Sequence, residues 1–159
     1  MVSVCFVCLG NICRSPTAEG IMLSKIRDQN LELQIHIDSA GTSAYHVGET
    51  ADSRSRDCAQ KRGYHLPSRA RQFTTVDLDR FDYIIAMDTS NLQNILRLCT
   101  NEEQKKKVYL FRDFDGNEGP KDVPDPYYGG ASGFDDVLDI CERCCDNFID
   151  FLYTHKKLQ

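Results

Sequence analysis

Eight consecutive residues near the amino terminus, Cys8-Leu9-Gly10-Asn11-Ile12-Cys13-Arg14-Ser15, bring two thiols, a guanidinium and a hydroxyl into one short loop. Where such a loop runs into a helix, unpaired backbone N–H groups and the helix dipole favour an anion. Arg14 adds a planar, two-pronged donor suited to two oxygens of a phosphoryl group. Gly10 and Asn11 tolerate conformations closed to most residues, which predicts a curled loop with its amides turned inward. The same field favours thiolate over thiol at Cys8. A thiolate beneath a bound tetrahedral oxyanion is placed for in-line attack on phosphorus. The amides of Leu9, Gly10, Asn11, Ile12, Cys13, Arg14 and Ser15, with the Arg14 side chain, would neutralise the equatorial charge, so neither metal nor organic cofactor is expected.

Cysteine followed six places later by arginine is weak evidence by itself, and the plain alternative is an inert cysteine at a strand end. The conjunction decides for chemistry: an apolar strand precedes the loop, Gly-Asn lies inside it, and Arg-Ser-Pro opens an amphipathic helix. Other phosphate-loop patterns, G-x-x-x-x-G-K-[ST] and G-x-G-x-x-G, do not occur. Breaking an aryl phosphate ester expels a phenolate unless an acid protonates it. Asp125, between Pro124 and Pro126, is the candidate, although by residue type alone it reads equally as a turn aspartate. Tyr127 and Tyr128 beside it offer a wall for a substrate ring, with Tyr45 as the opposite wall; each also reads as an ordinary surface aromatic.

The elements that must position these residues alternate in type. Val2 to Val7 reads as a buried strand. Ser15-Pro16 reads as a helix start, with Ser15 the capping acceptor and Pro16 the first helical residue. Ala18, Ile21, Met22, Lys25 and Ile26 then fall on one face. Leu33, Ile35 and Ile37 alternate as a second strand running into Ser39-Ala40-Gly41. A helix from about Ala51 to Arg62 ends at Gly63. Phe81 to Met87 and Val108 to Phe111 read as further strands, with a helix from about Ser90 to Cys99 between them. The last helix carries Phe134, Val137, Leu138, Cys141, Cys145, Phe148 and Leu152 on one side, so Cys141 and Cys145 are expected in the core. Such alternation predicts a doubly wound α/β sandwich whose ligand crevice lies at the carboxyl ends of the strands, where Cys8 to Ser15 fall.

A chain of 159 residues with 41% hydrophobic content suits one domain spanning 1–159. No run approaches the roughly 20 apolar residues of a membrane helix, and no signal-type stretch opens the chain, so a soluble cytoplasmic protein is expected. A reducing compartment makes eight cysteines more consistent with free thiols than with a disulfide framework, and no His stands at zinc-ligand spacing from a Cys pair. The net charge of −5 argues against nucleic acid as partner, and Lys105-Lys106-Lys107 reads as a solvated helix end.

Cys8 to Pro16, Asp38-Ser39-Ala40-Gly41 and Asp125-Pro126-Tyr127-Tyr128-Gly129 together resemble the signature segments of the low-molecular-weight protein tyrosine phosphatases, in order and over essentially the whole chain. The resemblance implies a three-layer sandwich with a four-stranded parallel sheet, order 2-1-3-4, flanked by helices on both faces. It implies hydrolysis of phosphotyrosine and small aryl phosphates through a cysteinyl-phosphate, with Cys8 nucleophile, Arg14 clamp and Asp125 proton donor and later base. It places Leu9, Tyr45 and Tyr127 around the substrate ring and makes Asn11, Ser15 and Ser39 a hydrogen-bonded support. It pairs Cys8 with Cys13 as a redox couple, the alternative being that Cys13 only packs beneath the loop. Phosphate, sulfate or vanadate should occupy the loop, and a monomer or weak dimer is expected. Relatives resembling arginine phosphatases carry Thr where this chain has Ile12, and many animal members carry His where it has Ser68. The rival readings are an arsenate reductase on the same fold, which would need a resolving cysteine pair near the third strand, and a phosphopeptide-binding module with a dead centre.

Overall fold

A computed structural model describes residues 1–116, 119–128, 130 and 132–159, with the backbone alone at Tyr128. Strand β1 (Val2–Cys8) leads through the loop into helix α1 (Arg14–Asp28), and the chain returns as β2 (Ile35–Gly41). Helices α2 (Ser53–Lys61) and α3 (Asp77–Arg80) precede β3 (Tyr83–Ala86). Then come α4 (Thr89–Leu98), α5 (Glu102–Lys105), β4 (Val108–Leu110) and the long α6 (Ser132–Thr154).

The four strands form a parallel sheet in the order β2-β1-β3-β4, the expected one. Because side chains alternate across a strand, β1 feeds two cores. Val4, Phe6 and Cys8 join Ile37, Ile85 and Met87 on the face covered by α1 and α6. Cys5 and Val7 join Ala40, Ile84 and Ala86 on the other face, covered by Leu78, Phe81 and Ile95. Cys141 and Cys145 lie in the core, as does Cys144. Among the described residues no helix is long and apolar enough to cross a membrane.

Three local expectations are corrected. Leu33 is not a strand residue: it stands 89% exposed in a turn, while Leu31 plugs the core and accepts the amides of Gln34 and Ile35. The third strand is shorter than read, because Phe81 is the residue after α3, buried against α4's side of the sheet. Ser15 is not a cap and Pro16 is not the first helical residue. The helix begins at Arg14, with Cys13 at the capping position and no side-chain cap, so Ser15 lies within the first turn and its hydroxyl turns toward Cys8. At α2 and α4 capping follows the rule: Asp52 opens α2 by accepting the Arg54 amide, and Asp88 opens α4 by accepting that of Asn91.

Candidate active site

The loop is held in its curl by one buried asparagine. Asn11 takes the left-handed conformation, φ 56°, which Asn tolerates better than other residues with a Cβ. Its own amide then donates to Cys8 Sγ at 3.3 Å. Its side-chain Nδ2 donates to Ser15 Oγ at 2.8 Å and Ser39 Oγ at 3.0 Å, and its Oδ1 accepts the Arg71 amide at 3.0 Å. Ser15 Oγ lies 3.0 Å from Cys8 Sγ. That oxygen accepts from Asn11, and its hydrogen has two acceptors within reach, the Cys8 sulfur and, farther off at 3.4 Å, the Ala40 carbonyl. Gly10, expected to supply unusual backbone angles, does not use the left-handed region; its missing Cβ instead makes room for His46, whose Cδ2 would sit 3.0 Å from such an atom. After β2 the chain is laced to the loop, Thr42 and Ser43 donating to the carbonyls of Cys8 and Leu9.

The support continues behind Ser39. Ser39 Oγ donates to Glu19 Oε1 at 2.6 Å, and Ser68 Oγ reaches the same oxygen at 2.7 Å. Glu19 is buried on α1, and loss of hydration pushes its carboxyl above the usual range, partly offset by the two hydroxyls.

Arg14, 3% exposed, has one end fixed and one end open. Nη1 donates to Asp88 Oδ2 at 2.6 Å and to the Val123 carbonyl at 3.0 Å. That leaves the Nε–Nη2 edge, a fork matched to two oxygens of an oxyanion. Burial opposes its charge, but Cys8, Asp88 and Asp125 outweigh this and hold the guanidinium above its ordinary range. Asp125 Oδ2 is 3.6 Å from Nη2, and Oδ1 accepts the Tyr127 amide at 3.0 Å, which aims the carboxyl over the loop.

These groups line a cavity of about 360 Å³ whose floor is Cys8, Ile12, Cys13 and Arg14 and whose upper wall includes Leu9, Tyr45, His46, Asp125 and Tyr127. Tyr45 is 88% exposed, so its ring stands in solvent at the rim. The Arg54 guanidinium, ion-paired to Asp52, sits 5.2 Å from the Tyr127 ring centroid and steadies that wall. The side chain of Tyr128, and Gly129, lie outside the described residues.

With that geometry in place the comparisons are specific. The family model for low molecular weight phosphotyrosine protein phosphatase matches residues 3–158. The chain belongs to this family. A member from Rattus norvegicus is 43% identical over 149 residues, covering 93% of this chain and 94% of the rat protein. A protein tyrosine phosphatase crystal structure from Entamoeba histolytica, with Hepes in its active site, superposes with a TM-score of 0.94 at 44% identity, covering 98% of this chain and 99% of that one. A Drosophila arginine phosphatase shares the fold at 30% identity, with a TM-score of 0.87 over 93% of this chain and 96% of its own.

Within this phosphatase, Cys8, Arg14, Asp125, Leu9, Tyr45 and Tyr127 surround one cavity, and Asn11, Ser15 and Ser39 meet beneath it. Cys13 is buried in the same cavity floor. Burial pushes its thiol up to about 12, with a Ser55 hydrogen bond acting the other way. Three contributors were not read from the sequence, Asp88, Glu19 and Arg71, and Gly41 was read only as part of a signature segment. A Cβ on Gly41 would lie 2.7 Å from the Leu9 carbonyl, so the second strand passes hard against the loop.

Proposed function

We propose that this phosphatase hydrolyses phosphotyrosine in proteins, and small aryl phosphates, through a phosphorylated Cys8. One observation carries the reading: at the cavity floor the Cys8 sulfur faces a backbone amide and a hydroxyl, while the open edge of Arg14 and the Asp125 carboxyl face the same space. The amides of residues 9–15 and Arg14 bind the phosphoryl oxygens. The Cys8 thiolate attacks phosphorus, the S–P bond forms as the P–O bond to the ring breaks, and protonated Asp125 gives its proton to the departing phenolic oxygen. The Asp125 carboxylate then takes a proton from water, which attacks phosphorus; the S–P bond breaks, phosphate leaves and the thiolate is restored. Ser15 and Asn11 stabilise that thiolate as the leaving group.

Leu9, Tyr45 and Tyr127 line the mouth on either side of a substrate ring, and apolar Ile12 in the cavity favours the aryl ester over a phosphoguanidinium. All eight cysteines are free thiols, in keeping with a reducing, cytoplasmic compartment. Peroxide converting Cys8 to a sulfenic acid would let the Cys13 thiol displace water and close a reversible disulfide. The decisive test is Cys8→Ser. This variant should turn over no p-nitrophenyl phosphate yet bind phosphate and vanadate, while the parent, quenched in acid during turnover, should carry one phosphoryl group on Cys8. Turnover by the variant would overturn the proposal.

A further inference from the structure

Beside the catalytic cavity lies a second cleft, of about 540 Å³, and the two share Ile12, His46 and Tyr127 as their dividing wall. Its far side presents two arginines, Arg56 and Arg69, both exposed. Arg56 spends Nε on the Ala51 carbonyl at 2.9 Å, and Arg69 spends Nη1 on the Gly48 carbonyl at 2.9 Å. Among the described residues neither meets a carboxylate, although the chain carries a net charge of −5. The two acidic residues of the cleft are already engaged: Glu49 holds His46 Nδ1, and Asp52 holds Arg54.

The backbone around the two guanidiniums is braced. Thr50 and Arg69 form an isolated antiparallel bridge, Gly48 donates to the Ala70 carbonyl and Ala70 to that of Glu49. Asp52 donates its amide to the Ile12 carbonyl, fastening the cleft to the phosphate loop. Two unneutralised cations on a tied frame, one wall away from the phosphotyrosine site, form a receptor for negative charge on the same substrate chain. We propose that this cleft is a specificity subsite for an acidic residue flanking phosphotyrosine, its carboxylate bound by Arg56 and Arg69.

The inference rests on the phosphatase reading, and the test separates the two. The parent is assayed on p-nitrophenyl phosphate and on phosphotyrosyl peptides bearing a single Glu, or Gln in its place, at each of the three positions either side of phosphotyrosine. No hydrolysis of p-nitrophenyl phosphate would sink the phosphatase reading itself. If the subsite exists, at least one Glu peptide exceeds its Gln partner by about fivefold in kcat/KM at low salt, as two partly exposed ion pairs allow. The difference resides in KM and shrinks toward unity at high salt, because the partners are solvated. In the Arg56→Gln/Arg69→Gln variant the ratio falls to about one while p-nitrophenyl phosphate turnover is retained. A Glu/Gln ratio near one in the parent at every position, or an unchanged ratio in the variant, overturns the proposal. Should the variant lose p-nitrophenyl phosphate turnover through distortion of the loop, the parent's own salt series decides: a salt-independent ratio overturns the proposal and a collapsing one supports it.

Discussion

Replacing Asn11 by Ala tests whether the loop is built from one side chain. The substitution deletes two buried hydrogen bonds, to Ser15 and Ser39, and a partly buried one from the Arg71 amide. At about 1 kcal/mol each these amount to about 3 kcal/mol. Alanine must also hold φ 56°, a further cost of about 1 kcal/mol relative to a residue that accepts it. Together these reach about 4 kcal/mol, between about a quarter and four-fifths of the roughly 5–15 kcal/mol that holds a domain folded. The cost can be met in two ways. If the loop keeps its shape, urea unfolding should show a loss of about 3–5 kcal/mol. If the loop relaxes, stability is partly recovered, but the Asn11 amide leaves Cys8 and kcat on p-nitrophenyl phosphate should fall by about 10²-fold or more, as a misplacement near 1 Å does. Asn11→Gly separates the contributions, since it removes the same hydrogen bonds without the backbone penalty and should recover about 1 kcal/mol over Ala. Both variants lying within about 1 kcal/mol of the parent, with kcat within about threefold, would refute the reasoning.

Asp125→Asn should lose about 10² to 10⁴ in kcat/KM for phosphotyrosine, and much less for an aryl phosphate whose leaving group needs no proton, measured across leaving groups of different acidity, since kcat/KM reports only the steps through formation of the cysteinyl phosphate. Glu19→Gln should alter the dependence of stability on pH. The Glu19 carboxyl is raised in the folded state, so between the unfolded and folded values the native protein binds the extra proton and stability falls as pH rises through that window. The variant lacks this penalty, so, relative to the parent, urea unfolding should show it more stable at pH 7 than at pH 4. After peroxide inactivation, Cys13→Ser should recover less activity with added thiol than the parent does, because no second thiol shields an oxidised Cys8. Equal recovery would remove Cys13 from that role.

How much was legible in the sequence depends on how local each signal is. Val2 to Ile26 could be read almost whole, because the strand, the Gly-Asn loop and the helical face each announce themselves within a few residues. Ser15 stands two residues further into α1 than the capping position its type suggests, and that offset turns its hydroxyl toward the sulfur. Leu33 was drawn into a strand because alternation with Ile35 and Ile37 cannot show that the chain is still turning. Asp88, Glu19 and Arg71 escaped because their partners are distant in the chain: Arg14 and Asp88 stand 74 residues apart, Asn11 and Arg71 60. Asp88 did leave a trace, since it follows the strand-like run Tyr83 to Ala86 at the sheet end where Cys8 emerges, and an acid there had an arginine to meet. Glu19 left none, because a carboxylate in a helix looks solvated until Ser39 and Ser68 are known to cover it.

Cys8 is the last residue of a strand paired along both edges. Its backbone can be displaced only by parting the middle of the sheet, so amide exchange along Val4 to Val7 should be among the slowest in the molecule and should proceed through whole-chain unfolding. Asp125 stands two residues beyond buried Val123, whose amide donates to the Met87 carbonyl and whose carbonyl holds Arg14. The proton donor is therefore hung on the rim of the sheet by the same arginine that clamps the oxyanion, whereas the nucleophile is carried by the sheet's own middle strand.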